Sequence, residues 1–369
     1  MEKRRKFVLF LFPLIFAIAL ATASAQAAPR LRLAAGAPLS TDAIYLPLIS
    51  GGAGNIVFTT PIPPTPTLTR TPTATWTPTA TRTPYPSRTP IPGQTAVTVY
   101  AVGDIAQCYG LPPDPTTGSM ITGTMLQQTS GWIFTLGDNS NDNGTMDDYN
   151  LCFTPTWGSL MPRLHPAMGN HDTNYPTNDG IPYFTYFSGM TGTNGYYSLN
   201  LGSWHIIVLN SQCNYSLGCA TGSPQERWLA MDLAANTQPC VLAIWHQPLF
   251  TTGNESPLPV IVSFWQDLYN AHADLILNGH NHIYERYLPQ DPSGALDLTN
   301  GIREMVVGTG GANHGGMLLT PMAPNEEVRD GVTFGYLKLK LYPDSFTWEF
   351  VPQPGKDFTD AGSQTCHPK

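Results

Sequence analysis

Short apolar runs recur along the chain from residue 95 onward, and each gives way to a glycine, an acid, an amide or a histidine. Residues 95–102 read as a buried strand that ends at Gly103-Asp104. Residues 132–136 (Trp-Ile-Phe-Thr-Leu) form a second, ending at Gly137-Asp138, and residues 204–209 a third, ending at Asn210. Val241-Leu242-Ala243-Ile244-Trp245 leads to His246, and Leu275-Ile276-Leu277 leads to Asn278-Gly279-His280-Asn281-His282. Between them, residues 119–129, 224–235 and 260–269 have helical spacing. In 224–235 a proline stands near the start, and Trp228, Leu229 and Leu233 share one face. Residues 306–307, 336–341 and 346–350 close the chain with further strand-like runs.

Strands that are apolar on both faces lie inside a sheet covered on both sides. In such sheets ligands bind beyond the carboxyl ends of the strands. Asp104, Asp138, His246 and His280 all fall at such ends. This is a physical reason to place them in one site although they are far apart in sequence.

The first 94 residues have another character. Lys3, Arg4, Arg5 and Lys6 precede an apolar stretch that runs to about Leu20, and small residues around Ala23–Ala27 offer cleavage sites, so residues 1–27 read as a signal peptide. An uncleaved membrane anchor fits less well, because the run is short and broken by Pro13. Residues 28–58 form a short segment whose apolar island, residues 43–49, is a candidate for association with the cell envelope. Residues 59–93 are almost entirely Thr and Pro; they cannot bury a core and read as an extended linker. Residues 94–369 are then the folded, catalytic unit, of a secreted or cell-surface protein.

Export changes the reading of the six cysteines towards disulfides. Cys213 and Cys219 can close a small loop. Cys108 and Cys152 follow Asp104 and Asp138 and would tie those loops together, which leaves Cys240 with Cys366 to pin the C-terminus; other connectivities stay open. There is no Cys-x-x-Cys pair, which argues against a thiolate zinc site. The net charge is −8, but residues 1–94 carry nine Lys/Arg against two Asp/Glu, so the remainder has nine against twenty-four, a net of −15. That argues against nucleic acid or an anionic membrane as the main partner of the folded unit and suits a domain that gathers cations.

Taken in order, the strand ends and the loop between them read Gly103-Asp104, Gly137-Asp138-Asn139, Gly169-Asn170-His171-Asp172, Trp245-His246 and Gly279-His280-Asn281-His282. This set resembles the calcineurin-like metallophosphoesterase superfamily, and within it the purple-acid-phosphatase-like branch. The resemblance runs from about Val97 to Gly311, with Tyr284-Glu285-Arg286 and Gly308-Thr309-Gly310-Gly311 as further support. It implies an α/β (α+β) four-layer metallophosphoesterase fold, two packed mixed β-sheets flanked by helices. It also implies two divalent or trivalent metal ions, such as Fe, Zn or Mn. Asp138 would bridge them, Asp104 and His282 would hold the first, and Asn170, His246 and His280 the second. His171 would lie beside the phosphate and assist the leaving group, Asp172 would orient His171, and Asn139 and His314 are further candidates to line the substrate.

The residue types suit this chemistry independently of the family. A carboxylate can bridge two cations, and two cations can clamp the attacking and leaving oxygens of a phosphoryl displacement. The neutral oxygen of Asn170 limits the negative charge that meets an incoming phosphate. One position departs from the family pattern. The purple enzymes carry a tyrosine three residues after the bridging aspartate, and other branches a histidine two residues after the first aspartate; here those positions are Asn141 and Ala106. The first metal is one ligand short unless Asn141 or Asp142 contributes. Without a phenolate, bound ferric iron is not expected to give the purple colour.

Each residue also has an ordinary alternative. Asp104 and Asp138 after glycine could be turn residues, and His246 a satisfied core histidine. His165 and His205 read mainly as packing, and Arg286 as an internal ion pair. Gly308 to Gly311 is not a phosphate-binding P-loop, since no Gly-Lys-Ser/Thr follows. The function implied is a metal-dependent phosphoester hydrolase, in the first instance a phosphomonoesterase using a hydroxide held between two metals on a small phosphoester substrate. The alternatives are a phosphodiesterase for nucleotides or lipid head groups, and a non-catalytic exported protein that keeps the fold.

Overall fold

A computed structural model describes residues 95–314 and 318–368. The signal peptide, the segment at 28–58 and the Thr/Pro linker expected from the sequence lie outside the described residues. In chain order the strands are β1 (Val97–Val102), β2 (Trp132–Thr135), β3 (Leu164–Pro166), β4 (Tyr197–Leu201), β5 (Trp204–Val208), β6 (Cys240–Ile244) and β7 (Leu275–Asn278). They continue as β8 (Tyr284–Tyr287), β9 (Arg303–Val307), β10 (Glu326–Asp330), β11 (Gly335–Leu341), β12 (Ser345–Pro352) and β13 (Ala361–Thr365). One sheet runs β13-β12-β11-β1-β2-β3 and the other β10-β8-β9-β7-β6-β5-β4. Both are mixed. β1, β2 and β3 are parallel, as are β5, β6, β7 and β9, while β11, β4 and β8 pair antiparallel with their neighbours.

Alternation along each strand builds the layers. In β6, Cys240, Leu242 and Ile244 join the core between the sheets, while Val241 and Ala243 join a second cluster with Phe264, Trp265 and Leu268 of the helix Val262–Asn270. β5 and β7 divide in the same way, with Ile206 and Val208 against Ile207, and Leu275 and Leu277 against Ile276. The continuous apolar runs are therefore strands buried on both faces. The helix Pro224–Ala235 starts where Ser223 caps the Glu226 amide and Pro224 takes the first position, so it follows the sequence expectation closely. On the other flank, the helix Gly118–Gln127 packs over the six-stranded sheet, and Trp157 donates its indole N–H to the Ser119 carbonyl (3.1 Å). The result is helix, sheet, sheet, helix. Among the described residues no helix is long and apolar enough to cross a membrane.

All three expected disulfides are present: Cys108–Cys152, Cys213–Cys219 and Cys240–Cys366. The last pins a C-terminal segment whose His367 Nδ1 lies 3.0 Å from Asp274 Oδ1. Burial works against a charge on His367, but Asp274 outweighs it and raises the imidazole pKa. A raised folded-state pKa gives stability that is complete below the unfolded value, about 6.5, and is lost as pH rises through the folded one. The difference in melting temperature between the native chain and His367→Gln should therefore be largest near pH 6 and shrink by pH 9.

A second buried network lies between the sheets. Asp360 accepts from Arg286 Nε (2.7 Å), Tyr284 OH (2.7 Å) and Trp348 Nε1 (3.0 Å), and Arg286 also pairs with Glu327. Arg303 joins the same Glu327 (2.8 Å) and lies over the Trp348 ring. Arg286 is thus an internal ion-pair residue. Removing one partner of a buried pair strands the other's charge, so Asp360→Ala should cost about 3–5 kcal/mol in denaturant unfolding.

Candidate metal centre

The site forms where strands of both sheets end. Asp104 and Asp138 follow β1 and β2 in left-handed backbone, with φ of 59° and 51°, and His280 follows β7 with φ of 74°. Such φ values are rare outside glycine and are held here by the surrounding hydrogen bonds. Asp104 N donates to Gly137 O (3.0 Å), Ile105 N to Asp138 O (2.9 Å) and Ala106 N to Asn139 O (3.1 Å), so the two aspartate loops are stitched side by side. The glycine run joins the two sheets at this point. Gly103 N donates to Val307 O, Gly310 N to Gly103 O, and Ala312 N to Asp104 O (2.8–2.9 Å). Two glycines leave room for the carboxylates. A Cβ on Gly169 would fall 2.0 Å from Asp138 Oδ1, and one on Gly279 2.7 Å from Asp104 Oδ2.

The side chains that converge are mostly acceptors. His246 Nδ1 is 2.8 Å from the Leu136 carbonyl, which can only accept, so Nδ1 carries the proton. Its Nε2 then faces Asn170 Oδ1 at 2.9 Å and Asp138 Oδ2 at 3.3 Å. His280 Nδ1 also lies 2.9 Å from Asn170 Oδ1. On the other side, His282 Nδ1 donates to Asn313 O (2.6 Å), which leaves Nε2 facing Asp104 Oδ1 at 3.5 Å. That Asp104 oxygen is buried with no hydrogen-bond partner, and so is Asn141 Oδ1. The ligand atoms of Asp104, Asp138 and His246 all lie within 4.8 Å of one another. Facing lone pairs and orphaned buried oxygens are what cations relieve, so the residues present fit two metal ions.

The electrostatics agree. Burial pushes the Asp104 carboxyl up to about 6, against the pull of His246 and His282. Burial also opposes charge on Asp138, but His246 and His171 hold it well below the usual carboxylate range. His246 is desolvated too, yet Asp138 lifts it to about 9, and His280, buried beside His246, falls to about 3. A proton on His246 and a cation at the same point are alternative answers to one cluster of acceptors.

His171 flanks the centre. Its backbone N–H donates to Asp138 Oδ1 (2.8 Å) and its ring Nδ1 to the Asp142 carbonyl (2.8 Å), which leaves Nε2 free. Asp138 is the main cause of its raised pKa.

Two expectations need correcting. Asp172 does not orient the His171 ring. Its carboxylate accepts from the amides of Gly169 (2.8 Å), Ser140 (3.1 Å) and Asn139 (3.2 Å), from Asn139 Nδ2 (3.0 Å) and from Tyr149 OH (2.5 Å), so it braces the loops. Asn139 is not at the substrate: it is wholly buried, with Nδ2 on Ala167 O and Asp172 and Oδ1 on Thr135 Oγ1. Asp142 is turned to the loop after Asp104, where its Oδ2 accepts the Cys108 and Tyr109 amides (2.9 and 2.8 Å). Sequence reading missed Tyr149 and the Asp142 carbonyl; a backbone acceptor leaves no signature in residue type. His314 stacks on Phe334 (4.0 Å) and donates from Nδ1 to His282 O (3.0 Å), which puts it beside His282. His165 stacks on Phe134, and His205 is held by Asn200 and Asp232, as packing and hydrogen-bonded groups.

Residues 125–284 match the family model for calcineurin-like phosphoesterases. The matched span holds every metal-ligand candidate except Asp104. Purple acid phosphatase 21 of Arabidopsis thaliana is 29% identical over 199 residues, 47% of this chain and 42% of that protein. Purple acid phosphatase 22 of the same plant is 31% identical over 222 residues, 51% of this chain and 48% of that protein. The chain therefore spans less than half the length of these two relatives. The fold is shared with a purple acid phosphatase isolated from yellow lupin (Lupinus luteus) seeds, with a TM-score of 0.64, 19% identity and coverage of 75% of this chain and 55% of that one.

The tight fit at Gly169 can be tested directly. Gly169→Ala should displace Asp138 and weaken metal binding by about 10–100-fold, the range seen when a ligand's support is lost. Metal retained after dialysis against a graded chelator would measure it.

Proposed function

We propose that the chain is a metal-dependent phosphomonoesterase acting on a small phosphoester. The observation that carries the reading is the meeting of Asp104, Asp138 and His246, whose ligand atoms lie within 4.8 Å of one another, with His282 facing Asp104 and the His171 ring at the flank. Asp104, Asp138 and His282 would hold one metal ion, and Asp138, Asn170, His246 and His280 the other. When bound, the ions activate water and neutralise charge on the phosphate oxygens.

The remaining work falls to the chain. The carbonyls of Leu136 and Asn313 fix the tautomers of His246 and His282, so each presents a lone pair inward. Asn170 adds a neutral oxygen and keeps the donor set from repelling the substrate dianion. His171, held through Nδ1 by the Asp142 carbonyl, hands a proton from Nε2 to the leaving alkoxide. The three disulfides support an exported protein. With them, residues 1–27 act as the signal peptide and residues 59–93 as a stalk that presents the enzyme at or beyond the cell surface.

The test uses aryl and alkyl phosphate monoesters beside a diester, across pH, with Asp138→Asn as control. Monoester turnover that falls by about a thousandfold in the variant, the equivalent of several kcal/mol of lost charge stabilisation, is the expected result. Equal background in both proteins would sink the reading, and a diester-only signal would overturn the monoester assignment.

A further inference from the structure

The loop that follows Asp138 holds a group that the reaction as described does not use. Asn141 is 1% exposed and its Oδ1 has no hydrogen-bond partner. A buried amide oxygen without a donor costs about 1–3 kcal/mol. Its backbone is fixed: Asn141 N donates to Ala106 O (2.7 Å), and Ala106 bridges to Ser140. Asn141 is thereby held against the loop that carries Asp104, whose own Oδ1 is wholly buried and equally unpartnered. Asn139 is committed to Thr135, Ala167 and Asp172, and Asp142 Oδ2 to Cys108 and Tyr109, while the adjacent Ser140 Oγ is buried without a partner as well.

We infer that the Asn141 carboxamide oxygen completes the ligand set of the first metal and makes that position a site for a divalent, oxygen-preferring ion such as Mn²⁺ rather than for ferric iron. This rests on the dinuclear reading above and deepens it. The set is then Asp104, the shared Asp138, Asn141 and one imidazole, His282: three oxygens and one nitrogen. The second position has two imidazoles, His246 and His280, and suits a softer ion such as Zn²⁺. The anionic charge at the first position comes from two carboxylates, one of them shared. That balances a divalent ion and leaves a trivalent one with uncompensated charge among buried groups, which is costly.

The test is equilibrium binding of Mn²⁺ to the metal-free full chain, followed by calorimetry and by the Mn²⁺ electron paramagnetic resonance signal. Ferric loading is followed separately. The native chain should bind two ions and take Mn²⁺ in preference to Fe³⁺ at one of them. Asn141→Ala should weaken one site at least about tenfold and leave the other unchanged. Asn141→Asp, which keeps an oxygen at the same reach, should hold or tighten it. Should Asn141→Ala not fold, Asn141→Ser, whose hydroxyl falls short of that reach, is expected to show the same one-site loss. Two sites untouched by these truncations, or a ferric preference in the native chain, would overturn the inference and leave the dinuclear reading standing. A native chain that binds no second ion would overturn both.

Discussion

Two buried carboxylates brought side by side are the constraint on which the rest depends. Asp104 is wholly buried and Asp138 nearly so, and their backbones are stitched by Asp104 N to Gly137 O and Ile105 N to Asp138 O. A buried environment does not hold two ionised carboxylates side by side unless positive charge is supplied. Burial drives Asp104 up to about 6, while His246 and His171 keep Asp138 ionised. The chain holds this arrangement in strained backbone at three strand ends and in glycines too close to the carboxylates to carry a side chain. The stability that allows it lies elsewhere, in strands buried on both faces and in the two hydrophobic clusters either side of the seven-stranded sheet.

Around that pair, main-chain carbonyls do much of the orienting. Leu136, Asn313 and Asp142 each accept from the Nδ1 of a histidine, and each thereby decides which nitrogen turns inward. These carbonyls sit on loops that are themselves tied. The Cys108–Cys152 disulfide joins the loop after Asp104 to the helical turn that carries Tyr149, and Tyr149 donates to Asp172, which gathers the amides of Asn139, Ser140 and Gly169. A disturbance at the disulfide therefore reaches the ligand loops through two hydrogen-bonded steps.

What could be read from the sequence follows from this division of labour. β1, β2, β5, β6 and β7 were legible because burial on both faces leaves continuous apolar runs, and Asp104, Asp138, His246 and His280 were legible because they stand at the ends of those runs. β8 was not, since Tyr284-Glu285-Arg286-Tyr287 is half charged and yet fully buried. Its charges are met by Asp360, Glu327 and the Thr251 and Thr252 hydroxyls, partners far away in sequence. β10 and β13 are polar edge strands with no periodic signal. The resemblance placed Asn139 at the substrate and Asp172 behind the His171 ring; only their hydrogen-bond partners reveal them as braces.

The histidine pair after β7 shows how one turn serves two positions. His280 takes left-handed backbone, gives its N–H to Asp104 Oδ2 (2.9 Å) and turns its ring to Asn170. Asn281 between them is buried and anchored outward, accepting the Glu255 amide and donating to Thr251. His282 then returns to the other oxygen of the same Asp104, with its far nitrogen on Asn313. Asp104 thus receives the main chain of one histidine and the ring of the next. The side of the centre it faces gains a single imidazole, while the opposite side gains two. The turn itself gives one imidazole to each side; the second on the far side is His246, which arrives from the end of β6 against Asn170 and Asp138, so the inequality of the two sides comes from β6 meeting β7 there.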